Sequence, residues 1–280
     1  MSERERRLVF GEVAEAYDDL RAGYPPELAD TVLNYWAAGW PPGRNSPAGV
    51  PEWIVEVGAG TGKATAIFAG RGARITCIEP HPAMAAVLRG RFAGAGPAPS
   101  TVEKSTVEVW AGSFEDFPAP PGGVPLIICA QAWHWVDPAV RQAKAHQVLA
   151  PGGVLALFAH QYGFPDREVH AATREAYRQH APELLDVDGP GSLPAPRGHW
   201  LTTELSGSPL FTDATATGYQ RIESFPTHRY LDLLCTFSEI RMLPEPRRVA
   251  LVEAVGAVVQ AHGGVIRQLI DTVLVMGRRA

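Results

Sequence analysis

The sequence predicts an α/β protein built around one parallel β-sheet, and three observations carry this prediction. Apolar, β-rich runs alternate with segments whose apolar residues recur at helical spacing, which is the pattern of strands joined by helical crossovers. Three alternating glycines, Gly58, Gly60 and Gly62, separate the first such strand from the next helix. The chain has 280 residues, enough to bury a full core, so one domain with insertions accounts for its length.

The elements follow one another in a regular order. A helix over 25–38 opens with prolines, which are favoured in the first helical turn. The sheet region is predicted to hold strands near 53–57, 74–79, 106–111, 124–130 and 153–159, alternating with helices near 62–70, 82–92 and 137–149. Further helices are predicted over 167–180, 229–239 and 246–262, and a final strand pair over 214–222 and 273–278.

The glycine turn predicts a ligand site. Glycines remove Cβ atoms and permit positive φ, so a ligand can approach the backbone and the free N–H groups of the next helix. A phosphate-binding P-loop is disfavoured because Val57 and Ala64 stand where it needs a glycine and a hydroxyl. The dinucleotide fingerprint is disfavoured because Lys63 occupies the place of its third glycine. Glu79, at the end of the next strand, is well placed for a ribose, since ligands in α/β sheets sit at carboxyl strand ends.

Several motifs resemble those of the class I S-adenosylmethionine-dependent methyltransferases. Four segments resemble, in order, the first motif, the ribose-binding acid, the adenine-binding segment and the turn before the fifth strand: Val55 to Gly62, Ile78-Glu79-Pro80, Ala111 to Asp116 and Leu149 to Gly153. Phe10, Tyr17, Arg21 to Pro25 and Gln131 to Trp135 resemble, more narrowly, the branch that includes trans-aconitate methyltransferases, whose acceptors are small molecules.

The resemblance implies a Rossmann-like sheet of seven strands, mostly parallel with the last antiparallel. Helices lie on both faces, and a helical cap is inserted. It implies S-adenosylmethionine as cofactor and S-adenosylhomocysteine as product, without a metal. The expected cofactor residues are Tyr17, Arg21, Glu56, Gly58, Ala59, Gly60, Gly62, Glu79, Pro80, Ser113, Phe114, Ala130 and Gln131.

Individual roles follow from side-chain chemistry. The two oxygens of Glu79 suit both ribose hydroxyls. Glu56 either accepts the cofactor's ammonium or orients the glycine loop. Ser113 stands where many relatives carry Asp, so Asp116 is a substitute partner for adenine. Arg21 would reach the cofactor's carboxylate and Tyr17 its sulfonium.

The acceptor side is expected to follow the fourth strand. His134 is the candidate general base, because an unperturbed imidazole titrates near neutral pH; hydrogen bonding or packing is its alternative role. His160 is the second candidate base. The expected substrate residues are Trp133, Trp135, His160, Tyr162 and Trp200. Methyl transfer would be an in-line displacement in which the protein chiefly orients the reactants.

Four ranges are expected. Residues 1–51 form an N-terminal helical lid, 52–160 the S-adenosylmethionine-binding core, 161–212 a substrate-cap insertion, and 213–280 the C-terminal part of the core with cap helices. Arg197 or Arg229, near the cap, would suit an acidic acceptor. The sequence leaves the oligomeric state open.

Composition narrows the partners. The net charge of −5 gives no basic field for nucleic acid. The three isolated cysteines suit a reducing cytoplasm. No run approaches the roughly 20 apolar residues of a membrane span. The expected partner is therefore a small molecule, with natural-product biosynthesis as the favoured setting.

Two alternatives remain at this stage. One is a protein that binds S-adenosylmethionine but uses it for non-methylating chemistry such as cyclisation, and this reading fits the motifs equally well. The other is an NAD-dependent oxidoreductase, which Lys63 and the lack of a closely spaced Tyr/Lys proton relay disfavour.

Overall fold

The computed structural model of the protein describes residues 14–40, 49–93, 106–185 and 199–280. The resemblance at Phe10, the start of the expected lid and the expectation for Arg197 lie outside these ranges.

Most of the helices lie close to where the sequence predicts them, but the helix over Trp200–Ser206 was not predicted and two others differ in length or continuity. The helices are α1 (Ala14–Leu20), α2 (Pro26–Gly39), α3 (Thr65–Phe68), α4 (Pro82–Phe92), α5 (Arg141–Val148), α6 (Arg167–His180), α7 (Trp200–Ser206), α8 (Thr227–Leu234), α9 (Ser238–Arg241) and α10 (Glu245–Ala261). The helix predicted over 62–70 is shorter because Gly62 and Gly70 take positive φ, +86° and +78°, at its two ends. The helix predicted over 229–239 is two helices, α8 and α9.

Seven strands form one sheet. They are β1 (Trp53–Val57), β2 (Arg74–Ile78), β3 (Val107–Trp110), β4 (Val124–Ala130), β5 (Leu149–Gly163), β6 (Phe211–Pro226) and β7 (Val265–Arg279). Their spatial order is β3-β2-β1-β4-β5-β7-β6. The last three strands are much longer than predicted, because their added residues include polar side chains and, in β5, the Pro151-Gly152 pair, which lack the apolar signal by which the sequence marks a strand.

The sheet is mostly parallel, and its last strand runs antiparallel, which confirms the predicted fold. In the central parallel ladders, Val57 pairs with Ile78 of β2 and with Cys129 of β4, and Ala130 pairs with Phe158 of β5. Strand β1 is buried over its last four residues, as expected where helices cover both faces of a parallel sheet. This register brings the ends of β1, β2 and β4 to one edge.

The chain divides into two compact units. Of the described residues, the first comprises 14–22, 160–185 and 218–272, and the second comprises 23–40, 49–93, 106–159, 199–217 and 273–280. Strands β5, β6 and β7 each contribute residues to both units. These boundaries differ from the four ranges predicted above, whose roles remain predictions.

Each unit has its own apolar core. In the second unit, the core gathers around the sheet and includes Val55, Ile127, Leu155 and Val275. In the first unit, residues of α6, α8 and α10 form the core together with Ile266 of β7. None of the helices in the described parts of the chain is long and apolar enough to cross a bilayer.

Candidate functional site

The glycine turn after β1 has the geometry that the sequence predicts for a ligand site. Gly58, Gly60 and Gly62 all adopt positive φ, at +64°, +58° and +86°. The N–H of Ala59 donates to the carbonyl of Ile78 at 3.1 Å, which ties the turn to the end of β2. The turn is therefore held at the sheet edge where parallel α/β sheets bind ligands.

The three glycines are needed for different reasons. A Cβ at Gly58 would lie 2.4 Å from the Cβ of Ala132, and one at Gly62 would lie 2.5 Å from a methyl carbon of Leu88. At Gly60 a Cβ would meet no protein atom within 4 Å. Gly58 and Gly62 therefore permit internal packing, whereas Gly60 borders open space. A ligand that lies against the backbone fits the open side of this turn.

Glu79 joins the turn to the end of β2. Its Oε2 accepts the N–H of Gly60 at 2.8 Å, its Oε1 accepts the N–H of His81 at 2.7 Å, and the residue is 6% exposed. A carboxylate has about four lone-pair sites, so a carboxylate that accepts two N–H groups can also accept ribose hydroxyls. The Glu79 carboxylate therefore fits the ribose that the sequence predicts as its ligand. The neighbouring Pro80 is exposed.

Glu56 lies beneath the turn. Its side chain is completely buried, its Oε2 accepts the hydroxyl of Thr65 at 2.7 Å, and its Oε1 has no hydrogen-bond partner among the described residues. Burial away from water, with a further contribution from Glu79, raises the pKa of Glu56 to about 8, although the Thr65 hydroxyl opposes the shift. In this conformation Glu56 holds the start of α3, which corresponds to the loop-orienting role. Contact with the cofactor's ammonium stays a prediction.

The segment after β3 places two predicted adenine residues differently. The Ser113 hydroxyl donates to Asp116 Oδ2 at 2.8 Å, so these two candidates form one local hydrogen-bonded turn. The ring of Phe114 is 2% exposed and belongs to the core of the second unit, 6.2 Å from the Trp133 ring centroid. Because its ring is buried, Phe114 offers the cofactor its main chain and very little side-chain surface.

The end of β4 carries an uncommon backbone conformation. Gln131 has a φ of +58°, a region that non-glycine residues seldom occupy, and its N–H donates to the Phe158 carbonyl at 2.9 Å. Such strained residues cluster at functional sites. Ala130 is the last residue of β4 before this turn.

The Trp-His-Trp sequence forms a 3₁₀ turn in which the three side chains differ in exposure. Trp133 is 2% exposed and is a core residue, whereas His134 is exposed and Trp135 half-buried. The rings of His134 and Trp135 are 4.5 Å apart. The Trp133 ring is packed in the core of the second unit, and its predicted role toward the acceptor stays a prediction. His134 and Trp135 retain the surface that their predicted roles require.

Four other predicted residues, Tyr17, Arg21, His160 and Tyr162, lie in the first compact unit. Arg21 donates to the hydroxyl and carbonyl of Thr236, and its guanidinium carbon lies 5.3 Å from the Tyr17 ring centroid. His160 is buried, and its Nδ1 is 2.8 Å from the Thr272 hydroxyl. The Tyr162 ring lies 6.1 Å from the His160 ring. Their predicted roles toward cofactor and acceptor remain predictions.

Sequence reasoning missed an ion pair beside the Trp-His-Trp turn. Arg141 and Glu204 lie 63 positions apart in the chain, and the Arg141 Nε donates to the Glu204 Oε1 at 2.7 Å. Trp200, which is 36% exposed, lies over Arg141 with its ring centroid 5.3 Å from the guanidinium carbon. No local sequence signal connects residues so far apart. Among the described residues, no group of three or more His, Cys, Asp or Glu side chains could hold a metal ion.

This geometry defines an α/β protein with a candidate ligand site at the carboxyl ends of parallel strands, formed by a glycine turn and an acid. Comparisons agree. Residues 55–157 match the family model described as a methyltransferase domain. An uncharacterized methyltransferase of Mycobacterium bovis is 35% identical over 156 residues, 56% of this chain and 54% of that protein. Another, of Geobacillus kaustophilus, is 28% identical over 188 residues, 65% of this chain and 79% of that protein.

Solved structures share the fold. A candidate type II methyltransferase from Anaeromyxobacter dehalogenans gives a TM-score of 0.58 at 20% identity, over 92% of this chain and 97% of that one. The chain is similar to methyltransferases over this domain, and the solved structure shares its fold. The match spans about half the length of the mycobacterial relative, 54%.

Proposed function

We propose that this protein transfers a methyl group from S-adenosylmethionine to an O, N or C atom of a small molecule. The observation that carries the proposal is the pairing of an open glycine turn with Glu79: Gly60 borders free space while its N–H is fixed to the acid. A turn held in this way is already in the conformation for binding, so little conformational entropy is lost when a cofactor binds.

The net charge of the chain, together with its pairing of charged residues, narrows the class of acceptor molecule. The net charge of −5 supports a small molecule over a nucleic acid, because polyanions bind basic surfaces. The predicted cap range, 161–212, and the composition support a natural-product acceptor. Arg229 is paired with Asp19 at 3.1 Å in the first unit, which weakens the case for it as the partner of an acidic acceptor. The three cysteines are free, which supports a cytoplasmic setting.

Each part of the cofactor has a proposed partner. Glu79 accepts the ribose hydroxyls, the main chain of Gly58, Ala59, Gly60 and Gly62 lies against the methionine and ribose portions, and Ser113 with Asp116 meets the adenine amine. The main chain of Ala130 and Gln131 lines the methionine portion. Pro80 and Phe114 flank the adenosine. Tyr17 and Arg21 remain predicted cofactor residues.

The proposed mechanism requires orientation above all. Bound S-adenosylmethionine supplies an electrophilic methyl carbon on a positively charged sulfur. The glycine turn and Glu79 fix the cofactor so that the acceptor atom approaches in line, and alignment of this kind can supply about 7 to 11 kcal/mol of the barrier. His134, exposed on its 3₁₀ turn, takes the proton from a hydroxyl or amine acceptor. A carboxylate acceptor needs no base.

Calorimetric titrations with S-adenosylmethionine, S-adenosylhomocysteine and NAD, run in parallel, test the cofactor. We expect the two sulfur compounds to bind and NAD not to bind. Binding of NAD alone would overturn the proposal in favour of an oxidoreductase.

Incubation with candidate acceptors, followed by mass spectrometry, tests transfer. Products heavier by one methyl group support the proposal. A product formed only when S-adenosylmethionine is present, but without added mass, would instead establish the non-methylating alternative.

A further inference from the structure

The buried ion pair Arg141–Glu204 holds the turn that carries His134. Arg141, from α5, points its Nε and Nη2 at the two carboxylate oxygens of Glu204 in α7, at 2.7 and 2.8 Å. The side chains are only 11% and 13% exposed. Burial alone would raise the pKa of Glu204, but the bonds from Arg141, Gln142 and Trp133 hold it below its ordinary value. The pair is thus an ionised, bidentate contact in a mostly dry setting.

The same ion pair forms two hydrogen bonds with Trp133. The Arg141 Nη1 donates to the Trp133 carbonyl at 3.3 Å, and the Trp133 ring Nε1 donates to Glu204 Oε1 at 3.1 Å. Main chain and side chain of one residue are therefore fixed by one ion pair. A simple packing role for Trp133 would need neither contact.

Trp133 lies between the two halves of the candidate site. His134 follows it directly, and the Trp135 N–H donates to the Ala132 carbonyl at 2.9 Å, which closes the turn. Ala132 precedes Trp133 and is packed against Gly58: a Cβ added at Gly58 would lie 2.4 Å from the Cβ of Ala132. A displacement of Trp133 would therefore move both the glycine turn and His134.

We propose that Arg141 and Glu204 are positioning residues of the methyltransferase site, which set the placement of His134 relative to the glycine turn. This inference rests on the proposed function for its catalytic meaning. Arg141 cannot be replaced by lysine without loss, because only the planar guanidinium offers two parallel donors to the carboxylate and a third to the Trp133 carbonyl.

Glu204→Gln is the first test, with Glu183→Gln as the matched control. Glu183 pairs with Arg247 at the same distance, 2.7 Å, but the two side chains are 48% and 42% exposed, and both residues belong to the first compact unit. We expect Glu204→Gln to weaken S-adenosylhomocysteine binding about tenfold, which corresponds to about 1.4 kcal/mol, and Glu183→Gln to leave it unchanged.

The NMR signal of the His134 imidazole distinguishes a positioning role of the Arg141–Glu204 pair from a role in stability alone. If the pair only stabilised the fold, its loss would leave this signal unchanged. The signal is assigned by its loss in His134→Ala. We expect Glu204→Gln to shift it or split it, and to change its titration with pH. If Glu204→Gln lowers the melting temperature yet keeps both the wild-type affinity and the wild-type His134 signal, the inference is overturned.

Two further outcomes are distinguishable. If Glu204→Gln does not fold, Arg141→Lys, which keeps the charge and loses the second parallel donor, is judged by the same two readouts. If the wild-type protein binds neither sulfur compound, the proposed function fails, whereas the His134 signal still decides whether the ion pair positions the turn.

Discussion

Glu56 shows how its surroundings decide the charge of a carboxyl group. It has one hydroxyl donor, Thr65, a thiol 3.9 Å away at Cys77, and no cation among the groups that shift its pKa. An ionised carboxylate needs several donors to compensate for lost hydration. The neutral acid is therefore the stable form at neutral pH, directly beneath a turn that would receive a positively charged cofactor.

Glu56→Gln should flatten the dependence of stability on pH. The unfolded chain ionises this carboxyl near 4.5, whereas the folded protein keeps it protonated to about pH 8. The native state thus binds the extra proton, and its contribution to stability is complete below 4.5. Between those pH values we expect the free energy of unfolding to fall with rising pH, by up to about 1.4 kcal/mol per pH unit.

Urea titrations at a series of pH values check this. In Glu56→Gln, the free energy of unfolding should no longer fall as the pH rises. In the control Glu52→Gln, at an exposed position just before β1, it should still fall. A decline of equal slope in the wild-type protein and in Glu56→Gln would contradict the assignment.

Gly60→Ala should separate cofactor binding from backbone strain. Gly60 and Gly70 both adopt positive φ, at +58° and +78°, and both have open space where a Cβ would stand. Each substitution should cost about 1 kcal/mol of stability, because L-residues disfavour this region. Only Gly60→Ala places a methyl group against the candidate cofactor.

Titration with S-adenosylhomocysteine, alongside urea unfolding, provides the comparison. We expect Gly60→Ala to bind much more weakly and Gly70→Ala to bind like the wild-type protein. Equal affinities in the two variants would place the cofactor elsewhere.

At the scale of elements, Arg278 fastens helix α2 to the sheet. From β7 it donates to the carbonyls of Tyr35 and Trp36 in α2 and to that of Gly152 in β5. Its guanidinium carbon lies 4.6 Å from the Tyr35 ring centroid. Charged hydrogen bonds of this kind connect three elements that are distant in sequence.

Arg278→Leu should therefore destabilise the protein by about 2 kcal/mol, because three carbonyls lose a charged donor. Tyr35→Phe removes one neutral bond, from the Tyr35 hydroxyl to the Asp213 carbonyl, and should cost about 1 kcal/mol. Chemical unfolding measures both. An Arg278→Leu variant as stable as the wild-type protein would show that water replaces these contacts at no cost.

The sequence predicts the elements well where local patterns suffice. The strands β1 to β4 and helix α6 were predictable from apolar periodicity, and Glu79 meets the glycine turn because both end neighbouring strands. The extensions of β5, β6 and β7 were not predictable, since long-range pairing stabilises polar residues in a strand. The burial of Trp133 and the Arg141–Glu204 pair depend on contacts between distant segments, which no local pattern encodes.

At the scale of the whole molecule, alkylation of the three cysteines can follow the unfolding of each compact unit separately. Cys77 and Cys129 are buried in the second unit, and Cys235, half-buried, belongs to the first. Burial raises the pKa of all three thiols, which keeps them protonated and slow to react. Their alkylation therefore marks unfolding.

We expect the two units to unfold in one step, because β5, β6 and β7 run through both. Pulsed alkylation along a urea gradient, read by mass spectrometry at each cysteine, measures this. Labelling of Cys77 and Cys235 should share one midpoint. Two separate midpoints would show that the shared strands do not couple the units.

The left-handed backbone of Gln131 bears on how the sequence can vary. The left-handed conformation costs the glutamine about 1 kcal/mol. A glycine or an asparagine would adopt the same conformation more easily. A screen that selects only for heat resistance would therefore replace Gln131. If the predicted contact of its main chain with the cofactor holds, a screen that selects for turnover would preserve it, and stability and activity would then make opposite demands on this position.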